Sequence, residues 1–142
     1  MRHTVLALLL ILAGITAHPI KAQADELTAG KQIKSIILEQ IEALKRSDAA
    51  KAYSYAASAI KAQFPSPRDF IEMVRAGYQP LLTAQDIGFG RTVETDGTLF
   101  QEVWLSDTDG ESWLGIYKLN QQQDGIWKIN GVMLQKRQST AS

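Results

Sequence analysis

Residues 86–135 read DIGFGRTVETDGTLFQEVWLSDTDGESWLGIYKLNQQQDGIWKINGVMLQ, and the fold turns on how this stretch is divided. Asp-Gly pairs stand at Asp96-Gly97, Asp109-Gly110 and Asp124-Gly125. Such pairs tolerate the positive φ values of tight hairpin turns. The runs between them are rich in Val, Ile, Trp, Tyr, Phe and Leu, which suit a pleated, half-buried surface. The division predicts an antiparallel meander of four strands over 86–94, 99–107, 112–121 and 126–135.

Register follows from the turns. A two-residue loop at Asp96-Gly97 places Val93 opposite Phe100, Arg91 opposite Glu102 and Phe89 opposite Trp104. With an even loop next and the odd loop Gln123-Asp124-Gly125 last, Trp104, Trp113 and Trp127 share one face with Tyr117, Leu119, Ile129 and Met133. That face is the one expected beneath the helices. The other face carries Leu99, Val103, Leu105, Leu114 and Ile116, and is too apolar for free solvent. The economical cover for it is a second subunit, so a homodimer through these five residues is expected.

Upstream, the spacing becomes helical. Ile33, Ile36, Ile37, Ile41 and Leu44 recur at steps that put one apolar stripe on a helix over Lys31–Arg46. Ser47-Asp48 supplies a fresh cap for an Ala-rich helix over Ala49–Ala59, with Tyr53 and Tyr55 its only large residues, one expected buried and one at the surface. Ser66, Pro67 and Asp69 start a third helix carrying Phe70, Met73 and Val74 and stopped by Gly77. The fold class is therefore α+β: three N-terminal helices packed on a curved four-stranded antiparallel sheet. A single domain over 31–135 is expected, between a flexible tail at 25–30 and a C-terminal tail at 136–142.

The first residues, Met1-Arg2-His3, are basic, and Thr4 to Ala17 form an apolar run of 14. A lone membrane-crossing helix needs about 20 apolar residues. The run is followed by Ala22-Gln23-Ala24, so residues 1–24 read as a secretory signal cut after Ala24. The mature chain is expected in the periplasm or secreted. Both histidines, His3 and His18, leave with that leader, and the chain has no cysteine. A mature chain of 118 residues then carries 13 basic and 15 acidic groups. The slight acidic excess speaks against a nucleic-acid partner. Lacking His and Cys, it excludes Ser-His-Asp triads, Cys-His pairs and zinc sites built on those ligands. Carboxylates, tyrosines, lysines and arginines remain for any chemistry. No cofactor and no metal site is expected; Asp107, Asp109 and Glu111 lack the glycine and distant glutamate of a calcium loop and read as a solvated turn.

The residues Asp48, Ala52, Ala56-Ala57-Ser58, Phe64, Phe70, Met73-Val74 and Tyr78-Gln79-Pro80, with Asp109-Gly110, Trp113, Tyr117 and the closing Asp124-Gly125-x-Trp127-Lys128-Ile129-Asn130-Gly131, resemble the bacterial family called domain of unknown function 4864. The resemblance covers residues 32–135. That family looks like a branch of the nuclear transport factor 2-like, or cystatin-like, superfamily of helix-on-sheet cones. The resemblance implies a pocket between helices and sheet. Its candidate ligand-binding residues are Arg91, Glu102, Trp104, Trp113, Tyr117 and Tyr78, with Arg91 set to hold an anionic group. The favoured reading is an exported, non-catalytic module that binds a small apolar or amphipathic molecule or an envelope protein. Two alternatives stand beside it. One is a small lyase or isomerase in which Glu102, raised in pKa by apolar walls, moves a proton, with Asp86 and Tyr117 as further catalytic candidates. The other is a purely structural envelope dimer.

Overall fold

The computed structural model describes residues 20–138, with side chains from residue 25 onward. Its first element, α1 (Ile20–Lys45), buries Ile33, Ile37, Ile41 and Leu44 on one stripe. Residues 25–30, expected as a flexible tail, are turns of this helix, and the cut expected after Ala24 falls within it. The rest of the expected leader, residues 1–19, lies outside the described residues.

The second helix expected over Ala49–Ala59 is two helices, α2 (Ala49–Ser54) and α3 (Ser58–Gln63). Asp48 caps α2 as expected, accepting from the Lys51 N–H at 3.1 Å. Between the two, Tyr55 to Ala57 leave the helix and run beside the last strand. The Ala57 N–H donates to the Ile129 carbonyl and the Ile129 N–H to the Tyr55 carbonyl, each at 2.8 Å. Alanine favours helix throughout this stretch; a bridge to a residue far along the chain overrides that preference. Tyr53 and Tyr55 are both half-buried. Tyr53 donates to the Phe64 carbonyl at 2.7 Å, and Tyr55 reaches Glu39. Next, α4 (Pro67–Gly77) starts as its sequence requires: the Ser66 hydroxyl accepts from the Asp69 N–H at 3.1 Å, and Pro67 opens the helix. A one-turn helix, α5 (Gln79–Leu82), follows, so among the described residues five helices stand where three were expected.

The sheet is the expected four-stranded antiparallel meander: β1 (Asp86–Thr95), β2 (Thr98–Ser106), β3 (Ser112–Gln121) and β4 (Trp127–Lys136), in spatial order β1-β2-β3-β4. The first turn behaves as read, with Asp96 and Gly97 at φ 50° and 76° and Val93 opposite Phe100. Three departures then redistribute the side chains. A bulge sets Gly90 and Arg91 together against Glu102, so Phe89 pairs with Val103 rather than Trp104. The β2–β3 loop has five residues, because Asp107 leaves the strand to close it: its Oδ1 accepts from the N–H groups of Asp109 and Glu111, each at 3.0 Å. A second bulge, at Asn130, turns Met133 over to pair with Ile116.

The odd β2–β3 loop decides which side faces the helices. Leu99, Gln101, Val103 and Leu105 pair with Leu119, Tyr117, Gly115 and Trp113, and this row lies in the core under the helices. Phe100, Glu102 and Trp104 point the other way. The expectation of three indoles on one face is therefore corrected: Trp113 and Trp127 pack against the core, while Trp104 lies on the open face. The expected subunit contact is corrected with it. Leu99, Val103 and Leu105 are 6%, 0% and 3% exposed beneath the helices, whereas Leu114 and Ile116 lie on the open face, so the five residues form no common surface. Among the described residues, no helix is long and apolar enough to cross a membrane.

Candidate functional site

A cavity of about 260 Å³ lies between the helices and the β4 side of the sheet. Its walls follow from the amphipathic stripes. The inward face of α4 supplies Phe70, Met73 and Val74, α3 supplies Ile60, the residue after it is Phe64, and β4 supplies Ile129 and Val132. Two small residues leave the space open: Ala56, drawn to β4 by its bridge, and Gly131, where an added Cβ would meet nothing within 4 Å. The lining is mostly apolar, and its polar groups are Gln40, Gln63 and Tyr78.

Gln40 is the unusual member. It is 3% exposed on the buried stripe of α1, between Ile37 and Leu44. Its Nε2 donates to the Ala52 carbonyl at 3.3 Å. That bond engages the amide nitrogen of a residue that lines the cavity.

The residues singled out from the sequence fall in three separate places. Tyr78 lines the cavity. Tyr117 is fully buried in the core, its hydroxyl has no hydrogen-bond partner, and burial pushes it above the ordinary tyrosine value. Trp113 is held from the side, its Nε1 donating to Asp107 Oδ2 at 3.0 Å. Arg91, Glu102 and Trp104 gather on the open face, away from the cavity. Asp86 sits at the end of β1, accepting from the Ser106 hydroxyl at 2.9 Å. The candidate catalytic set of Glu102, Asp86 and Tyr117 is thus spread over both faces and one end of the sheet and shares no reaction point.

Arg91 and Glu102 do meet, as expected, although the bulge rather than a regular pairing brings them together. The Glu102 carboxylate accepts from the Arg91 backbone N–H at 3.0 Å, from Nε at 3.1 Å and from Nη2 at 2.7 Å. The side-chain hydrogen bonds from Arg91, then its backbone N–H, hold the Glu102 carboxyl below the usual range, and the arginine is raised in turn. This reverses the expected direction: a carboxylate so held is a poor proton donor near neutral pH.

Gln101 fixes the bulge from the core side. Its Nε2 donates to the carbonyls of Gly90, Arg91 and Glu102, and its Oε1 accepts from the Thr92 hydroxyl at 2.6 Å. Gly90 is required at this point, since a Cβ there would stand 2.6 Å from Glu102 Oε2 and 2.8 Å from Trp104 Nε1. At Asp107, burial pushes the carboxyl up, but hydrogen bonds from Trp113, Glu111 and Asp109 outweigh it and hold the group low. Both Asp107 oxygens are engaged, Oδ1 within the loop and Oδ2 by Trp113 of β3, and no three acidic or histidine side chains among the described residues are placed to hold a metal ion.

Of the cavity lining, the sequence places Leu44, Phe70, Met73 and Val74 on apolar helical stripes. Phe70, Met73 and Val74 fit a stripe whether or not a void lies beyond it. Gln40 was the legible signal, because it shares the helical stripe of Ile33, Ile37 and Leu44.

The fold and site define a class: an α+β domain with helices on one face of an open antiparallel meander and an apolar cavity between the layers. The chain belongs to the family described as Domain of unknown function (DUF4864), whose family model matches residues 26–142. No curated protein matches it.

Proposed function

We propose that the protein is an exported, non-catalytic binding module whose cavity beside β4 takes a small, largely apolar molecule bearing a hydrogen-bond donor. The observation that carries this reading is the pairing of an apolar void with Gln40, a buried amide in its wall whose nitrogen is held by the Ala52 carbonyl. A pocket of this make-up is selective through shape and one or two placed polar groups, and this one is at the small end of such sites. A hydroxyl or amide N–H on the ligand would satisfy Oε1, while the α4 stripe takes its apolar body. The placing of the cavity between helix layer and sheet also supports the nuclear transport factor 2-like reading of the fold. Export rests on the leader pattern of residues 1–24, which puts the mature chain in the periplasm or outside the cell.

Native mass spectrometry of the protein isolated from its own host tests both parts. The chain is expected to begin after Ala24 and to carry a bound small molecule that Ile60→Trp, which fills the cavity, expels without loss of fold. As an independent probe, 1-anilinonaphthalene-8-sulfonate should titrate to one site in the unoccupied wild type and fail to do so in Ile60→Trp. A chain without co-purified ligand, whose dye response is the same in both forms, rules the cavity out as a binding site.

A further inference from the structure

We infer that the cavity is the inner end of a longer track, and that the track takes a single-chain amphiphile of the fatty-acid class: an aliphatic chain enters past Tyr78 and its carboxylate stops at Arg137. The inference rests on the reading of the cavity as a binding site and names what fills it. A second hollow, of about 460 Å³, adjoins the cavity, and Tyr78 and Val132 line both. It follows β4 around the rim of the sheet, from Val132 and Leu134 on the covered side to Ile116 and Met133 on the open one. The rim is bare at this point: β4 is the last strand of the sheet, and the bridge from Ala56 reaches only Ile129. Neither hollow is lined by an acidic or basic side chain, so both suit hydrocarbon. A path that bends around a strand suits a flexible chain better than a rigid ring system. The hydroxyl suited to Gln40 belongs on the buried stretch of that chain.

The outer end of the track has a different chemistry. By way of Leu114 and Gln135 it meets a cleft lined also by Trp104, Lys136, Arg137 and Gln138, which brings two cations and no acid. Lys136 is tied to Glu111. Arg137 makes no ion pair among the described residues, and its guanidinium lies on the Trp104 ring, with Cζ 4.5 Å from the ring centre. Stacking occupies the flat face of a guanidinium and leaves the N–H groups in its plane to grip both oxygens of a carboxylate. The indole therefore orients this cation without pairing its charge. Asp86 stands in another hollow, on the β1 side of the stack, where it accepts from the Ser106 hydroxyl. From Val132 to Arg137 the strand rises roughly 17 Å, at about 3.3 Å per residue, which calls for a long acyl chain.

Calorimetric titration of the whole chain, freed of lipid, tests each part. Palmitate should bind at one site, and octanoate ~100-fold or more weaker, because it leaves the groove along β4 empty. Hexadecyltrimethylammonium has the same chain length and the opposite charge, and should bind ~10-fold or more weaker than palmitate. Arg137→Gln should abolish that preference for the acid. Met133 is 70% exposed, so Met133→Asp should keep the circular dichroism of the wild type while weakening palmitate far more than octanoate. Palmitate that does not bind, or binds no tighter than octanoate, or is indifferent to Met133→Asp, overturns the track and leaves the cavity itself standing. A preference for the acid that survives Arg137→Gln overturns the place given to the carboxylate. Binding of both acids that is unchanged in Ile60→Trp counts instead against the cavity on which the inference rests.

Discussion

Both faces of the meander carry apolar side chains, in different surroundings. On the covered face, Val103 and Leu119 are 0% exposed and Ile129 is 4% exposed; on the other, Val93 and Met133 stand largely in solvent. The polar residues reverse the usual expectation: Gln101 is fully buried on the covered face, while the apolar ring of Trp104 lies on the open one, under the Arg137 guanidinium at 4.5 Å. The contrast teaches that alternation marks a strand as two-faced without saying which face the helices will choose. A buried glutamine can serve as a clamp when the backbone offers it carbonyls, and apolar side chains can stand on the face the helices leave open.

Four experiments can break or sharpen this contrast. The largest effect is expected from Leu119→Ala on the covered face, at about 2–5 kcal/mol in urea unfolding. Its counterpart Ile116→Ala on the open face should cost about 1 kcal/mol or less. Equal losses would mean that the faces are wrongly assigned. Next, Gly90→Ala should destabilise by about 1–3 kcal/mol, because the new Cβ must displace Glu102 and Trp104. Its signature is altered Trp104 fluorescence, which a change in backbone flexibility alone would not produce. A smaller effect of opposite sign is expected from Tyr117→Phe, which removes a buried hydroxyl with no partner and should gain up to about 1 kcal/mol.

The smallest effect belongs to the ion pair on the open face. Glu102 is held below its ordinary value, so in the carboxylate range the unfolded chain binds the proton more tightly than the folded one. Its contribution is therefore full above that range and is lost as pH falls through the folded value. Glu102→Gln should lower stability slightly at neutral pH and make the acid side of the stability profile shallower. An unchanged acid slope would show that the contact with Arg91 contributes nothing in solution.

Much of the architecture was legible. The Asp-Gly turns divide the meander correctly, the α1 stripe at Ile33, Ile37, Ile41 and Leu44 is buried, and the caps at Asp48 and Ser66 start their helices. The misassigned tryptophan face has one main cause. Whether Asp107 ends β2 or opens the loop changes the register parity, and a one-residue change in parity moves every later side chain to the opposite face. Asp107 belongs to the loop because its carboxylate finds two backbone N–H groups and the Trp113 indole there, partners that no local spacing reveals. The bulge at Gly90 and Arg91 and the break in the alanine-rich helix arise likewise, from contacts with Gln101 and Ile129. For the candidate site, Tyr78 was found and Gln40 was overlooked, although its place on an isoleucine stripe marked it.

The sequence by itself determined the element types, the turn positions, the α+β class and the absence of His and Cys after the expected cut, because propensity, capping and composition are properties of neighbouring residues. Only the tertiary structure decided which face the helices cover, where the cavity opens and that Glu102 is tied to Arg91 rather than walled in by apolar groups. Those outcomes depend on loop parity and bulges, which are set by hydrogen bonds between side chains and backbone that meet only once the chain has folded.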